Sequence, residues 1–503
     1  MSNLESNNNN ANENNCVADG SASEFECVIG LEIHAQLSTK SKAFCSCSND
    51  FGSDVNKNVC PVCTGQPGAL PVLNKSAVEY AVKMALATNC QIALESIFAR
   101  KNYFYPDLPK GYQISQFDKP LAEHGKVSYV VKENNEEVEK TCGITRIHME
   151  EDAGKSTHLD TCSIINFNRS STPLIEIVSE PDIRSPAEAV AYLQKLRTIL
   201  VYLEICDGNM EEGNFRCDAN LSIRPKGQKT LGTKTEVKNI NSFRFVEKAL
   251  HFEMERQIKD VKAGNKIIQE TRFFDASKGE TISMRSKEQS HDYRYFPEPD
   301  LMPLVIEKSW IEAVKKTLPE LPDEKVKRFI NEYQIPKYDA EVLSSSKILA
   351  KYYEDTLKAQ QDKFRDPKIV SNWIMAELLR LVNEHNEEIS KIKITPQLFA
   401  ELIDKIKEGV ISGKIAKTII EDMYATGERA SIIIEKKGLV QVSDESAIEK
   451  IVDQVIANSQ KQLADYKAGK QQLFGFFVGQ VMKEMKGKGN PGIINEILKR
   501  RIG

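Results

Sequence analysis

The stretch VIGLEIHAQL (28–37) decides how this chain is read. Its apolar residues alternate: Ile29, Leu31, Ile33, Ala35 and Leu37 fall on one face of a strand, and Gly30, Glu32, His34 and Gln36 on the other. Glu32 and His34 therefore project side by side, about 7 Å apart, from a strand whose opposite face is core. Three more runs read as strands: TRIHME (145–150), PLIEIV (173–178) and FRCDANLSIR (215–224). In the last, Arg216, Asp218, Asn220, Ser222 and Arg224 share a polar face that offers donors and acceptors to a nucleotide. Glu176 is the one charged residue of PLIEIV, and a buried carboxylate needs a cation partner. Glu151 follows TRIHME at the parity of Ile147 and Met149, which is expected to turn it inward. Glu32, Glu151 and Glu176 with His34 suit Mg²⁺, a hard ion that grips substrate phosphates. The plainer alternative is a set of unrelated salt bridges around a satisfied histidine.

The sharpest local signal is Cys45-x-Cys47 followed by Cys60-x-x-Cys63. Four thiolates in two close pairs can close a tetrahedron around Zn²⁺ and leave no vacant position, so the site reads as structural. Its binding energy, ~10–16 kcal/mol, would hold a loop with little core of its own. A zinc deaminase is excluded, because the order here is Glu32-x-His34 and Pro61 sits inside the second pair. Asp152-Ala153-Gly154-Lys155-Ser156-Thr157 resembles the end of a P-loop, but Met149 occupies the earlier glycine position. Gly154, Lys155 and Ser156 are therefore expected only as a turn that touches phosphate. KNYFYPDLPKGYQISQF (101–117) interleaves five aromatic residues with Lys101 and Lys110. That pattern stacks unpaired bases or simply packs a surface loop.

The chain has 503 residues, 41% hydrophobic and 28% charged, with a formal net charge of -4, which excludes a globally basic nucleic-acid coat. Residues 461–503 are the exception, holding nine Lys/Arg against three acids. This basic end reads either as a solvated helix face or as a grip on an anionic polymer. Residues 1–24, with eight Asn in the first fifteen, are expected to be a disordered leader. Residues 25–295 mix short strands with a few helices, one of them opened by Ser185-Pro186-Ala187-Glu188. Helical patterns follow the proline-rich segment 296–303, giving a helical domain over 296–394 and a tail domain over 395–503. The fold class is α+β. No targeting signal or membrane-length apolar run is visible, so a cytoplasmic protein is expected.

Several segments carry a family resemblance: VIGLEIHAQL, RKNYFYPDLPKGYQISQFD, GITRIHMEEDAGKSTH, NRSSTPLIEIVSEPDIRSP, MEEGNFRCDANLSIRP, TEVKNINSF and DYRYFPEPDL. From Phe25 onward the chain resembles the B subunits of aspartyl/glutamyl-tRNA amidotransferases. The resemblance implies a largely antiparallel, glutamine-synthetase-like catalytic cradle, then an all-α domain and an all-α tail that contacts tRNA. It implies a heterotrimer with a glutaminase subunit and a small bridging subunit. In that complex ammonia from glutamine amidates Glu-tRNA(Gln) or Asp-tRNA(Asn) after ATP has phosphorylated the carboxylate. Metal ligands carry over to His34, Glu151 and Glu176, with Glu32 adjacent, and the four cysteines match a zinc site present in some members. Asn166 stands where the family usually has Asp. A carboxylate is a poor electrophile, so the chemistry needs cations around the transferring phosphoryl group. Lys155, Arg216 and Arg294 are the candidates, Asp218 is a catalytic candidate beside them, and Asn220 is a nucleotide contact. The competing reading is a non-catalytic, zinc-containing tRNA adaptor.

Overall fold

The computed structural model describes residues 24–286, 293–439, 445–485, 489 and 491–503. The expected leader, apart from Glu24, and Lys486 and Lys488 of the basic end lie outside the described residues. The chain divides into two compact units, Met1–Pro319 and Glu320–Gly503.

The first unit is built on a nine-stranded sheet. In chain order its strands are β1 (Phe25–Gln36), β2 (Gln91–Ile92), β3 (Ala122–Glu133), β4 (Glu136–Glu151), β5 (Pro173–Ser179), β6 (Phe215–Pro225), β7 (Thr235–Lys238), β8 (Glu270–Asp275) and β9 (Glu280–Ser286). They lie side by side as β9-β8-β7-β6-β1-β5-β4-β3-β2. Every pairing is antiparallel except β7 with β8. The four strands read from sequence are therefore the four central ones, and the α+β class holds.

The alternation seen in β1 is realised: Ile29, Leu31, Ile33 and Ala35 are at most 1% exposed, while Glu32, His34 and Gln36 remain partly open. Three helices, α1 (Lys75–Ala87), α2 (Pro186–Tyr202) and α3 (Phe243–Lys262), pack on the sheet. Tyr192 of α2 meets Tyr129 of β3 edge-on, and Phe243 of α3 lies against Phe215 of β6. The apolar parity of the sheet is thus the helix-covered side, and the polar parity faces away from the helices, with Glu32, His34 and Gln36 partly exposed and His148, Glu150 and Glu176 buried. Helix α2 begins as its sequence predicts. The Ser185 hydroxyl accepts from the Glu188 N–H with Pro186 in the first turn, and Glu188 accepts from the Arg184 N–H.

The second unit is helical and contains two cores. One gathers residues from Phe329 to Ile434, including Tyr352 packed edge-on against Phe399. This core spans position 395, so the boundary expected there falls inside continuous packing; similarly, residues 296–319 group with the sheet rather than with the helices. Composition changes at both points, but burial does not. The other core joins Glu445–Asn458, Leu473–Glu484 and Pro491–Ile502 through Phe477, Val481, Ile494 and Leu498. At its surface Arg500 pairs with Glu445 and Glu449, and Arg501 with Glu449 and Asp453, so part of the basic end is already matched by acids.

Helix α3 is fastened to the sheet by Glu253, which is fully buried. It accepts from Thr235 of β7 (2.7 Å), Thr281 of β9 (2.8 Å) and Gln257 (3.0 Å), and pairs with Arg256 and Arg272. Replacing one member of such a network strands the others. Glu253→Leu should therefore lower the midpoint of thermal unfolding by several degrees, a loss of roughly 3–5 kcal/mol, followed by circular dichroism.

Candidate active site

Strand register builds the site. Arg216 of β6, His34 of β1, Glu176 of β5 and His148 of β4 are consecutive partners across four strands. Neighbouring residues of one row share a face, so these four side chains converge on the side of the sheet turned away from the helices. The His34 Nε2 atom lies 3.3 Å from Glu176 Oε2 and 3.6 Å from Glu150 Oε1, and His148 Nε2 lies 3.4 Å from Glu176 Oε2. One ligand atom from each of His34, Glu150 and Glu176 falls within 4.8 Å of the others. Ser115 in turn donates to Glu150 Oε2 at 3.2 Å.

Glu151, the expected ligand, is not in this group. Its carboxylate pairs with Lys110 and accepts the Ile114 N–H at 2.8 Å. The physical reason is parity: Glu151 follows Ile147 and Met149 onto the helix-covered side, whereas His148 and Glu150 share the other side with Glu176. The same alternation that places His34 opposite the core selects Glu150.

Burial disfavours an imidazolium at His34, but the hydrogen bond and charge of Glu176, and the charge of Glu150, raise it above the usual histidine range. Burial, reinforced by the Glu176 charge, pushes the Glu150 carboxyl up. Burial also opposes ionisation of Glu176, yet His148 and His34 hold it well below the usual carboxylate range. Burial brings His148 down to about 4. Two carboxylates and an imidazole form a hard donor set that fits Mg²⁺ or Mn²⁺. Two buried nitrogen atoms on this face, His148 Nδ1 and Arg216 Nε, have no hydrogen-bond partner among the described residues. A polar ligand would satisfy them.

The remaining expected residues separate into four places. Arg216 donates to Asp152 Oδ2 at 2.8 Å, which also accepts from Gln36 at 2.8 Å, so Asp152 anchors the arginine beside His34. Glu32, Asp218 and Asn220 extend the polar face: Asn220 donates to Glu32 Oε1 at 3.0 Å, and Lys238 lies 2.7 Å from Asp218 Oδ2. Burial, with Glu176 and Glu236 nearby, raises the Glu32 carboxyl. Next to them is a cavity of about 270 Å³ lined by Gly30, Glu32, Ser179, Asn220, Ser222 and Lys234.

The Gly154 turn behaves differently from expectation. Its N–H donates to the Asp107 carbonyl, its carbonyl accepts from Arg169, and a Cβ there would lie 2.9 Å from two carbonyl oxygens. The glycine serves close packing, and its N–H is not offered to phosphate. Lys155 and Ser156 lead into a two-stranded hairpin with Ser163–Asn166. Arg294 is exposed, on a left-handed backbone (φ 43°) whose carbonyl accepts from Asn102.

The four thiols converge as their spacing predicts, with Cys45, Cys47, Cys60 and Cys63 Sγ within 4.8 Å of one another. The Cys60 N–H donates to Cys63 Sγ at 3.1 Å, and Lys42, fully buried, donates to the same sulfur at 3.7 Å. A hydrogen bond from Cys45, with further help from Cys60 and Lys42, brings the Cys63 thiol down to about 5, while the same contact raises Cys45 and burial raises Cys47 to about 11. Asn166 ties this loop to the hairpin, accepting from the N–H of Asn168 (2.9 Å) and of Asn56 (3.4 Å). An amide oxygen is sufficient for that role.

A family model described as the GatB/GatE catalytic domain matches residues 27–312, and a second, described as the GatB domain, matches residues 351–502. The chain belongs to the GatB family. Its relatives include three proteins named as the B subunit of aspartyl/glutamyl-tRNA(Asn/Gln) amidotransferase. The one from Geobacter sp. (strain M21) is 54% identical over 95% of this chain and 99% of its own. That from Geotalea daltonii is 55% identical over the same shares, and that from Thermodesulfovibrio yellowstonii is 54% identical over 94% of this chain and 98% of its own. These relatives are named as one subunit of an amidotransferase. No helix among the described residues is long and apolar enough to cross a membrane.

The geometry separates two adjacent glutamates by experiment. Glu150→Gln should weaken Mn²⁺ binding to the purified chain at least about tenfold by calorimetry, and Glu151→Gln should not. Because protons on His34 and Glu150 compete with the cation, binding should also weaken as pH falls from about 8 to about 6. Separately, elemental analysis of Cys60→Ser should show loss of bound zinc; a retained equivalent would place zinc elsewhere.

Proposed function

We propose that this chain amidates Glu-tRNA(Gln), Asp-tRNA(Asn) or both, in an ATP-dependent reaction that passes through an acyl phosphate. The observation that carries this reading is the row Arg216–His34–Glu176–His148 with Glu150, which concentrates a hard-cation donor set and a guanidinium on the sheet face turned away from the helices. Ammonia cannot readily displace oxygen from a carboxylate, so activation by phosphoryl transfer precedes nitrogen attack. A bound Mg²⁺ supplies charge neutralisation at the terminal phosphate oxygens.

This chain's own residues do the positioning. The cavity beside Gly30 and Asn220 lies four residues along β1 from His34, about 13 Å. That span suits a nucleotide with its base in the cavity and its last phosphate at His34, Glu150 and Glu176. Arg216, steadied by Asp152, presents its Nε toward the transferring group, and Lys238 balances Asp218 and Glu236 behind it. Zn²⁺ on the four thiols is structural in this reading.

Ammonia is supplied by a glutaminase subunit through a heterotrimer that includes a small bridging subunit. The relatives are named as subunits, and the sequence holds no recognisable amidase nucleophile motif. Lysines of residues 461–503 that are not matched by acids would meet tRNA phosphates. We place the complex in the cytoplasm, where reduced thiols are stable. In the reconstituted complex Glu176→Gln should abolish tRNA-dependent ATP hydrolysis while tRNA binding and assembly persist. Unchanged ATP turnover would favour the adaptor reading.

A further inference from the structure

Beside the metal-binding group stands a ladder of five rings drawn from three separated segments. Tyr103 and Tyr105 follow the strand Phe98–Asn102, Phe117 follows the strand Tyr112–Gln116, and Tyr293 and Tyr295 precede the short strand Phe296–Pro297. Ring centroids run Tyr105–Tyr103 6.0 Å, Tyr103–Tyr293 6.0 Å and Tyr293–Tyr295 5.9 Å, each edge to face. Tyr295 and Phe117 then stack flat at 4.1 Å. The segments are tied together: Asn102 donates its N–H to the Tyr293 carbonyl (2.9 Å) and its amide to the Arg294 carbonyl (2.8 Å), while the Tyr103 hydroxyl donates to Gln113 (3.0 Å).

Two features distinguish the ladder from ordinary loop packing. Its ends are open, with Tyr105 51% and Phe117 42% exposed. Lys101 sits over it, 5.0 Å from the Tyr293 centroid and 6.0 Å from that of Tyr103, with no carboxylate oxygen within 4.0 Å among the described residues. The ladder also continues into the candidate active site. Ser115, two residues before Phe117, holds Glu150, and the Lys101 charge reaches both Glu150 and Glu176. Open π-faces beside an ammonium group stack bases and balance phosphates without reading sequence.

We infer that this ladder, with Lys101, stacks the unpaired nucleotides at the 3′ end of the acylated tRNA and so delivers the ester-linked amino acid to His34, Glu150 and Glu176. The inference rests on the amidation reading above. The base of ATP is the other candidate for stacking, but a single base needs one enclosed face, and the cavity beside Gly30 and Asn220 provides it. The exposed rings at the two ends, Tyr105 and Phe117, with Lys101 against the rings between them, fit successive single-stranded nucleotides. ATP and the aminoacyl end then approach the same carboxylates from opposite directions along β1.

The test uses the heterotrimer with Glu-tRNA(Gln) whose terminal adenosine carries a photoreactive azido group. Crosslinking is expected within residues 103–117 or 293–296, and crosslinks confined to other peptides overturn the inference. Kinetically, Phe117→Ala should raise the KM for tRNA about fivefold or more, with the KM for ATP moving less than about twofold. Phe117→Trp, which keeps a π-face, should restore the KM for tRNA. A rise in the KM for ATP alone would assign the rings to the ATP base and overturn the inference. If the wild-type complex shows no tRNA-dependent ATP turnover, the amidation reading fails, and the crosslink still decides the ladder.

Discussion

The register of four antiparallel strands is the constraint on which the site depends. Because β1 pairs with β5 on one side and β6 on the other, His34 is forced between Glu176 and Arg216, and the next pairing adds His148. A slip of one residue in any of these pairings would turn that strand's charged residues into the helix-covered core. The apolar half of each strand therefore does more than fill the interior. Ile29, Leu31 and Ile33 cannot leave the core, and that fixes which way Glu32 and His34 face.

Charge is tolerated on this sheet because it is compensated locally. Asp152 holds Arg216, Lys238 bridges Asp218 and Glu236, and two histidines flank Glu176. The least compensated acids are Glu150 and Glu32, both raised by burial. An added cation would relieve them most.

Much of this is legible in the sequence. Alternation in VIGLEIHAQL and FRCDANLSIR gives the correct faces, because one side of each strand is wholly apolar. The convergence of Cys45, Cys47, Cys60 and Cys63 is equally legible, since two close pairs of thiols with a loop between them can meet at one point. What local pattern misses depends on longer-range partners. The apolar parity of Ile147 and Met149 turns Glu151 inward, but it does not say which face of the sheet the helices cover. Gly154 has the look of a phosphate turn, yet its N–H is claimed by Asp107, 47 positions earlier, a partner that no local motif reveals. A boundary near 395 follows composition, but helices on both sides contribute to one core. Arg500 and Arg501 read as free cations until the fold brings Glu445, Glu449 and Asp453 alongside.

Lys42 ties the thiol cluster to the chain's evolutionary freedom. Its ammonium group is sealed from solvent, with Cys63 Sγ and the Phe167 carbonyl as its acceptors. A descendant that lost the Cys63 thiol would leave this cation in the interior with the Phe167 carbonyl as its one remaining acceptor among the described residues. Loss of the cysteines and replacement of the lysine are therefore a coupled change, and intermediates carrying only half of it would be selected against at the level of folding.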